Sequence, residues 1–243
     1  MDAETFRRQL ALRLAYLKEQ GLGWGLAPAS LPARVPKLPP GEGGGSPPGA
    51  PEAKGGLEQI REEMGECRRC RLAEGRSRIV FGTGNPRARV LFVGEGPGAD
   101  EDRIGEPFVG RAGQLLTDII QKGMGLRRSE VYIANVVKCR PPENRKPLPD
   151  EMAACLPFLE AQIRAVSPEV IVALGATALE ALLGRQAPIT RIRGRWMEWR
   201  GIPLMPTFHP SYLLRNPAAK REVWQDIQAV MARLGLTPPG RKG

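Results

Sequence analysis

Imidazole and thiol are scarce in this chain. Among 243 residues there is one histidine, His209, and there are four cysteines, Cys67, Cys70, Cys139 and Cys155. Any step that needs an imidazole therefore has a single candidate. Long apolar runs are missing too: no stretch approaches the roughly 18 residues of a membrane span. The opening MDAETFRRQL is amphipathic and carries acids, unlike a secretory signal, so the expectation is a cytoplasmic protein with no membrane partner. In a reducing compartment the four thiols do not pair as disulfides, which leaves metal or cluster binding as the leading use of the C-x-x-C at 67–70. The glycine-rich segment GEGPG (94–98) is followed by no GK[ST] and is interrupted by Pro97, which removes a P-loop and a dinucleotide fingerprint. Negative charge is in deficit, with 26 acidic against 36 basic residues and a net charge of +10. The first 56 residues hold seven basic and five acidic groups, or +2, so +8 falls on the remainder. A basic folded part fits a polyanionic partner, and a solvated basic surface equally well.

What is present is organised in two parts. Residues 1–25 contain Phe6, Leu10, Leu14 and Leu17 at helical spacing and predict a small amphipathic helix. Residues 26–56, rich in Pro and Gly, predict a flexible linker. A core then spans 57–236, with a short basic tail at 237–243. Within the core, ARVLFVG (88–94), VYIANVVK (131–138) and VIVALG (170–175) predict strands, and RWMEWRGIPLMPTF (195–208) a hairpin leading into a last strand. Helices are predicted at 110–125, 148–168, 176–184 and 216–235. Short apolar strands alternating with helices imply a parallel sheet covered on both faces. Such sheets place their site at the carboxyl ends of the strands. Three motif-like loops fall there, at 94–108, 138–147 and 209–216.

Each loop has two readings on its own residues. Gly94, Gly96 and Gly98 let backbone N–H groups approach a ligand, but they also make a tight strand–helix turn. Asn135 is polar inside an apolar strand. Its amide suits the edge of a nucleobase, with one donor beside one acceptor, or a structural bond to a neighbouring loop. His209 opens a polar loop at a strand end, where a functional role gains weight over a structural one. Four thiolates suit zinc or an iron–sulfur cluster alike.

Taken together, GEGPGxxED…GEPFVGRAGQLL, YIANVVKCRPPENRKP and FHPSYLLRNP, in this order, resemble the family-4 uracil-DNA glycosylases from about Cys67 to Leu234. The resemblance implies an α/β fold, a three-layer α/β/α sandwich with a central, mostly parallel four-stranded sheet. It implies a structural [4Fe–4S] cluster on Cys67, Cys70, Cys139 and Cys155. It also implies excision of uracil from single- and double-stranded DNA by a monomer, with uracil as a product. By that resemblance Phe108 stacks on the flipped base, Asn135 bonds its N3 and O4, and the backbone of Gly94, Glu95 and Gly96 lines the pocket. His209 faces O2, where charge grows as the glycosidic bond breaks. Ser211 and Arg215 contact DNA, and Leu213 or Leu214 wedges into the gap left by the extruded nucleotide. The first loop carries Gly96 where the family-1 enzymes place a water-orienting Asp, so Glu95, or else Glu101, supplies any carboxylate. Asp100, Glu101 and Asp102 also read as a solvated helix cap. A related group that traps the sugar through a histidine in a KRRIH-like loop is set aside, because KCRPPENRKP has no histidine. Arg191, Arg193, Arg195 and Arg200 are expected to flank the DNA. The competing reading is a non-catalytic DNA- or protein-binding module on the same fold. The N-terminal helix is a candidate site for a protein partner, and localisation in a prokaryotic nucleoid follows from the DNA reading.

Overall fold

The computed structural model describes residues 56–238. The N-terminal helix, the linker up to residue 55 and the tail from 239 lie outside the described residues.

The four long apolar segments form the parallel centre of the sheet. These are β2 (Val90–Gly94), β3 (Tyr132–Asn135), β4 (Val170–Leu174) and β6 (Ile202–Thr207). β2 pairs in parallel with β3 and β4, and β4 with β6. Two short antiparallel strands extend this four-stranded centre, β1 (Thr83–Gly84) beside β3 and β5 (Met197–Trp199) beside β6. The order is β1-β3-β2-β4-β6-β5. β5 and β6 are joined by Arg200 and Gly201, both at positive φ (49° and 83°), the pairing that a tight two-residue hairpin turn requires.

Strand alternation explains both covered faces. Leu91, Val93, Ile171 and Ala173 point to one side, against Leu159 and Ile163 of α5 (Pro149–Val166). Val90, Phe92, Val170 and Val172 point to the other, against Val223 and Ile227 of α9 (Lys220–Leu234). On α9 the buried apolar residues fall at 223, 227, 230, 231 and 234, the helical stripe expected of a one-sided packer. Burial of both sheet faces is why the central strands read as unbroken apolar runs.

Smaller helices complete the layers among the described residues: α1 (Leu57–Met64), α2 (Leu72–Gly75), α3 (Ala99–Ile104), α4 (Arg111–Asp118), α6 (Ala176–Leu183), α7 (Ile189–Ile192) and α8 (Pro210–Arg215). The helix expected over 110–125 is α-helical only to Asp118. It then widens into a π turn at Ile119–Gly123, closed by the Met124 N–H on the Ile119 carbonyl. No helix among the described residues is long and apolar enough to cross a membrane.

Candidate active site

The carboxyl ends of β2, β3, β4 and β6 open into a cleft of about 640 Å³. Glu95, Phe108, Asn135 and His209 all line it, so segments more than a hundred residues apart in sequence converge there.

Phe108 is held in a conformation that bulky residues avoid. Its φ is +55°, and its ring is 6% exposed. Backbone strain of this kind costs about 1–3 kcal/mol and persists only where surrounding bonds enforce it. Here Glu101 enforces it. Its Oε1 accepts from the Val109 and Gly110 N–H groups, both at 2.9 Å, and its Oε2 from the Gly98 N–H at 3.0 Å. Arg128 Nη2 also donates to the Pro107 carbonyl at 2.5 Å. The carboxylate of Glu101 is thus committed to loop structure. Asp102 is buried as well and accepts from the Ser77 N–H, at 2.9 Å to Oδ1 and 3.0 Å to Oδ2. The helix-cap reading thus holds in part: Asp100 is exposed and Glu101 caps α3 through the Gly98 N–H, but Glu101 also clamps Val109 and Gly110, and Asp102 is a buried clamp on Ser77.

Asn135 ends β3 in register with Gly94 of β2. Its side chain is 1% exposed, and Oδ1 has no hydrogen-bond partner. A buried acceptor left unpaired costs about 1–3 kcal/mol, so this atom marks a place built for a donor that arrives with a ligand. Gly94 makes room for that place. A Cβ there would overlap Asn135 Oδ1 and stand 2.5 Å from Phe108 Cζ, so any larger residue would push the amide and the ring out of position.

His209 caps α8. Its Nδ1 accepts from the Ser211 N–H at 3.1 Å and lies 2.8 Å from Ser211 Oγ. A backbone N–H can only donate, so Nδ1 is unprotonated and the ring proton sits on Nε2. Burial, assisted by the nearby Arg215 charge and opposed by Glu101, lowers the His209 pKa to about 4. The imidazole is therefore neutral at neutral pH and presents one N–H donor. Its ring centroid lies 5.5 Å from that of Phe108.

The remaining expected residues divide. Glu95 borders the cleft, and Thr177 Oγ1 donates to its Oε2. Ser211 and Arg215 line the mouth. Leu213, in contrast, is 1% exposed and belongs to the core, so its side chain is not available as a wedge; Leu214 is 41% exposed. The expected arginine cluster also divides. Arg193 is spent inside the protein on buried Asp226, which also accepts from Thr207 Oγ1 at 2.6 Å. Arg200 sits in the β5–β6 turn, at the end of the sheet opposite the cleft, and bonds Glu160 at 2.9 Å. Arg191 and Arg195 remain exposed.

Sequence reasoning missed the fourth strand end. Gly175, Ala176 and Thr177 follow β4 and line the cleft beside Glu95. The rule that sites gather at strand carboxyl ends applied to β4 as well and would have found them. It also missed Arg145, a cleft residue held by two bonds of 2.7 and 2.8 Å to fully buried Glu151.

On the far side of β3 the four cysteines line one small cavity. Cys155 Sγ accepts from the Lys138 N–H at 3.3 Å, and Cys139 Sγ from Arg76 Nη1 at 3.4 Å. Burial raises the pKa of Cys70, Cys139 and Cys155, the last to about 12. Among the described residues no three Cys, His, Asp or Glu side chains form a closed cage for a single metal ion. Four thiols around one cavity, beside two cations, are a donor set that could hold a metal or an iron–sulfur cluster.

The uracil DNA glycosylase superfamily matches residues 81–228. A type-4 uracil-DNA glycosylase of Thermotoga maritima is 52% identical over 176 residues, covering 71% of this chain and 91% of the relative. One of Sulfurisphaera tokodaii is 42% identical over 190 residues, covering 75% and 86%. One of Pyrobaculum aerophilum is 43% identical over 179 residues, covering 70% and 91%.

Proposed function

The chain belongs to the type-4 uracil-DNA glycosylases, and we propose that Asn135, Phe108, His209 and Glu95 carry out its excision of uracil from DNA. The observation that carries the assignment of roles is the buried, unpartnered Asn135 Oδ1, for which, as for the Phe108 ring, the missing side chain of Gly94 leaves room.

Uracil within a duplex is out of reach, so the nucleotide is first extruded. Leu214 fills the gap it leaves, while Ser211 and Arg215 hold the flanking phosphates. In the cleft the base stacks on Phe108. Asn135 Oδ1 accepts from uracil N3–H, and Nδ2 donates to O4. Cytosine offers the reverse pattern and is refused. The bond between N1 and C1′ then breaks, with its electron pair passing to the base. Charge collects on O2, opposite the neutral His209 Nε2–H. A fixed donor of this kind, aimed where charge develops, is worth about 10²–10³ in rate. Glu95, held by Thr177, balances the positive sugar and orients the water that adds to C1′. The products are free uracil and an abasic site.

Cys67, Cys70, Cys139 and Cys155, which line one cavity, would hold a [4Fe–4S] cluster; its role would be structural, the four thiolates tying the loop before β1, the loop after β3 and α5 together.

Two measurements test the reading. Purified full chain incubated with uracil-containing oligonucleotide should release free uracil, detected by chromatography; a non-catalytic binding module would release none. Metal analysis should find iron with inorganic sulfide, and one zinc without iron would overturn the cluster.

A further inference from the structure

Lys138 is a buried cation without a carboxylate. It is 1% exposed. Its Nζ donates to two neutral acceptors, the Asn135 carbonyl at 2.8 Å and Gln162 Oε1 at 2.6 Å. Gln162 is fixed in turn, its Nε2 donating to the Phe81 carbonyl at 2.9 Å and to the Tyr132 hydroxyl at 3.3 Å. Among the described residues no acidic side chain pairs with Lys138. Burying an ammonium this way is costly unless an anion lies close by.

The thiols supply that anion once they bind iron. The Lys138 backbone N–H donates to Cys155 Sγ, and Cys139 is the next residue. The same ammonium holds the carbonyl of Asn135, the residue whose Oδ1 waits for a base. Lys138 also lines the cysteine cavity, so one residue joins that cavity, through its backbone N–H, to the end of the strand that reads uracil, through its ammonium.

We propose that Lys138 is a positioning residue for base recognition: its ammonium, balanced by the cluster thiolates, grips the Asn135 peptide and so makes uracil binding depend on an intact cluster site. The inference rests on the cluster and pocket proposed above. It predicts that the two sites respond together to a change at a residue that touches neither uracil nor DNA.

The test uses the purified full chain and two readouts besides activity: iron release to a chelator, and free-uracil binding by ligand-observed NMR. Wild type comes first. If it carries zinc, or does not bind uracil, the underlying reading fails rather than this inference. Lys138→Met keeps the length of the stem and removes the charge. It should lose iron faster than wild type and bind uracil about tenfold more weakly, the worth of one charge-assisted hydrogen bond. Its affinity for undamaged duplex should be unchanged, because phosphate contacts set it. Gln162→Met leaves the charge but removes one of its two tethers. It should keep wild-type iron release and still bind uracil more weakly, and it decides the matter alone if Lys138→Met does not fold. Wild-type uracil binding in a folded variant of either kind would overturn the proposal, whatever its iron content.

Discussion

Asn135→Leu exchanges the amide for an apolar fork with the same number of heavy atoms, at a position 1% exposed whose Oδ1 has no partner. In the free protein the amide is a liability. Removing an unsatisfied buried acceptor recovers part of about 1–3 kcal/mol, so the leucine variant should be more stable by about 1 kcal/mol. For a domain of this size that raises Tm by about 2–4 °C. In the reaction the balance reverses. The variant loses an acceptor for N3–H and a donor to O4, and the second bond strengthens as charge spreads through the departing ring. At about 1.5 kcal/mol each, the loss is about 3 kcal/mol, or about 10²-fold in kcat/KM. Calorimetry at matched iron content gives the first quantity. Single-turnover cleavage of a uracil-containing duplex gives the second, with affinity for undamaged duplex as the control. A variant that melts below wild type would show that the amide is satisfied in the free protein. One that keeps the wild-type rate would remove Asn135 from base reading.

Three further outcomes are expected, two from the geometry and one from the composition of residues 26–56. Burial holds the His209 pKa near 4 against 6.5 for a free imidazole, so the stability it contributes is full above about 6.5 and is lost as pH falls from there through about 4, where the unfolded chain takes up the proton first. As the only histidine it should give one set of imidazole nitrogen NMR signals, those of the neutral Nε2–H tautomer, constant between about pH 5 and 8; a titration near 6.5 would refute this. Leu213→Ala should cost about 2–5 kcal/mol in denaturant unfolding, because it empties a core position, whereas Leu214→Ala should change stability by less than about 0.5 kcal/mol. Leu214→Ala should also slow excision from duplex more than from single strands, and equal slowing would dismiss the wedge. Removal of residues 1–56 should leave a folded, iron-containing, active enzyme, since the composition of 26–56 is that of a linker; loss of solubility or activity on truncation would show that the N-terminal segment supports the catalytic part.

Much of this molecule could be read before it was seen, for identifiable reasons. The central strands are buried on both faces, so Val90–Val93 and Val170–Leu174 stand out as apolar runs. The chain turns at Arg200–Gly201, where glycine supplies one of the two positive φ angles. Phe108, Asn135 and His209 sit at strand ends or in the loops that leave them, where a parallel sheet collects its ligands. The rest depended on contacts between distant segments. β1 is two residues long and exists only through its pairing with β3. Adjacent leucines 213 and 214 differ in exposure because α8 turns one of them into the core, a direction set by packing rather than by composition. Arg193 looked like a surface charge until Asp226, 33 residues away, claimed it. Glu101 looked like part of an acidic cap, and its task of holding Phe108 at positive φ appears only when Val109 and Gly110 fold over it.

The central claim is that a neutral His209 donates to uracil O2 as the bond to the sugar breaks. It is tested most directly by the single-turnover rate of His209→Ala on a uracil-containing duplex, with enzyme in excess. The donor acts on charge that exists only in the transition state, so the rate should fall by about 10²-fold or more, about 3 kcal/mol, while the Kd for the same duplex stays within a few-fold of wild type. A rate near wild type would contradict the account and leave catalysis to Glu95 and the backbone amides of the first loop.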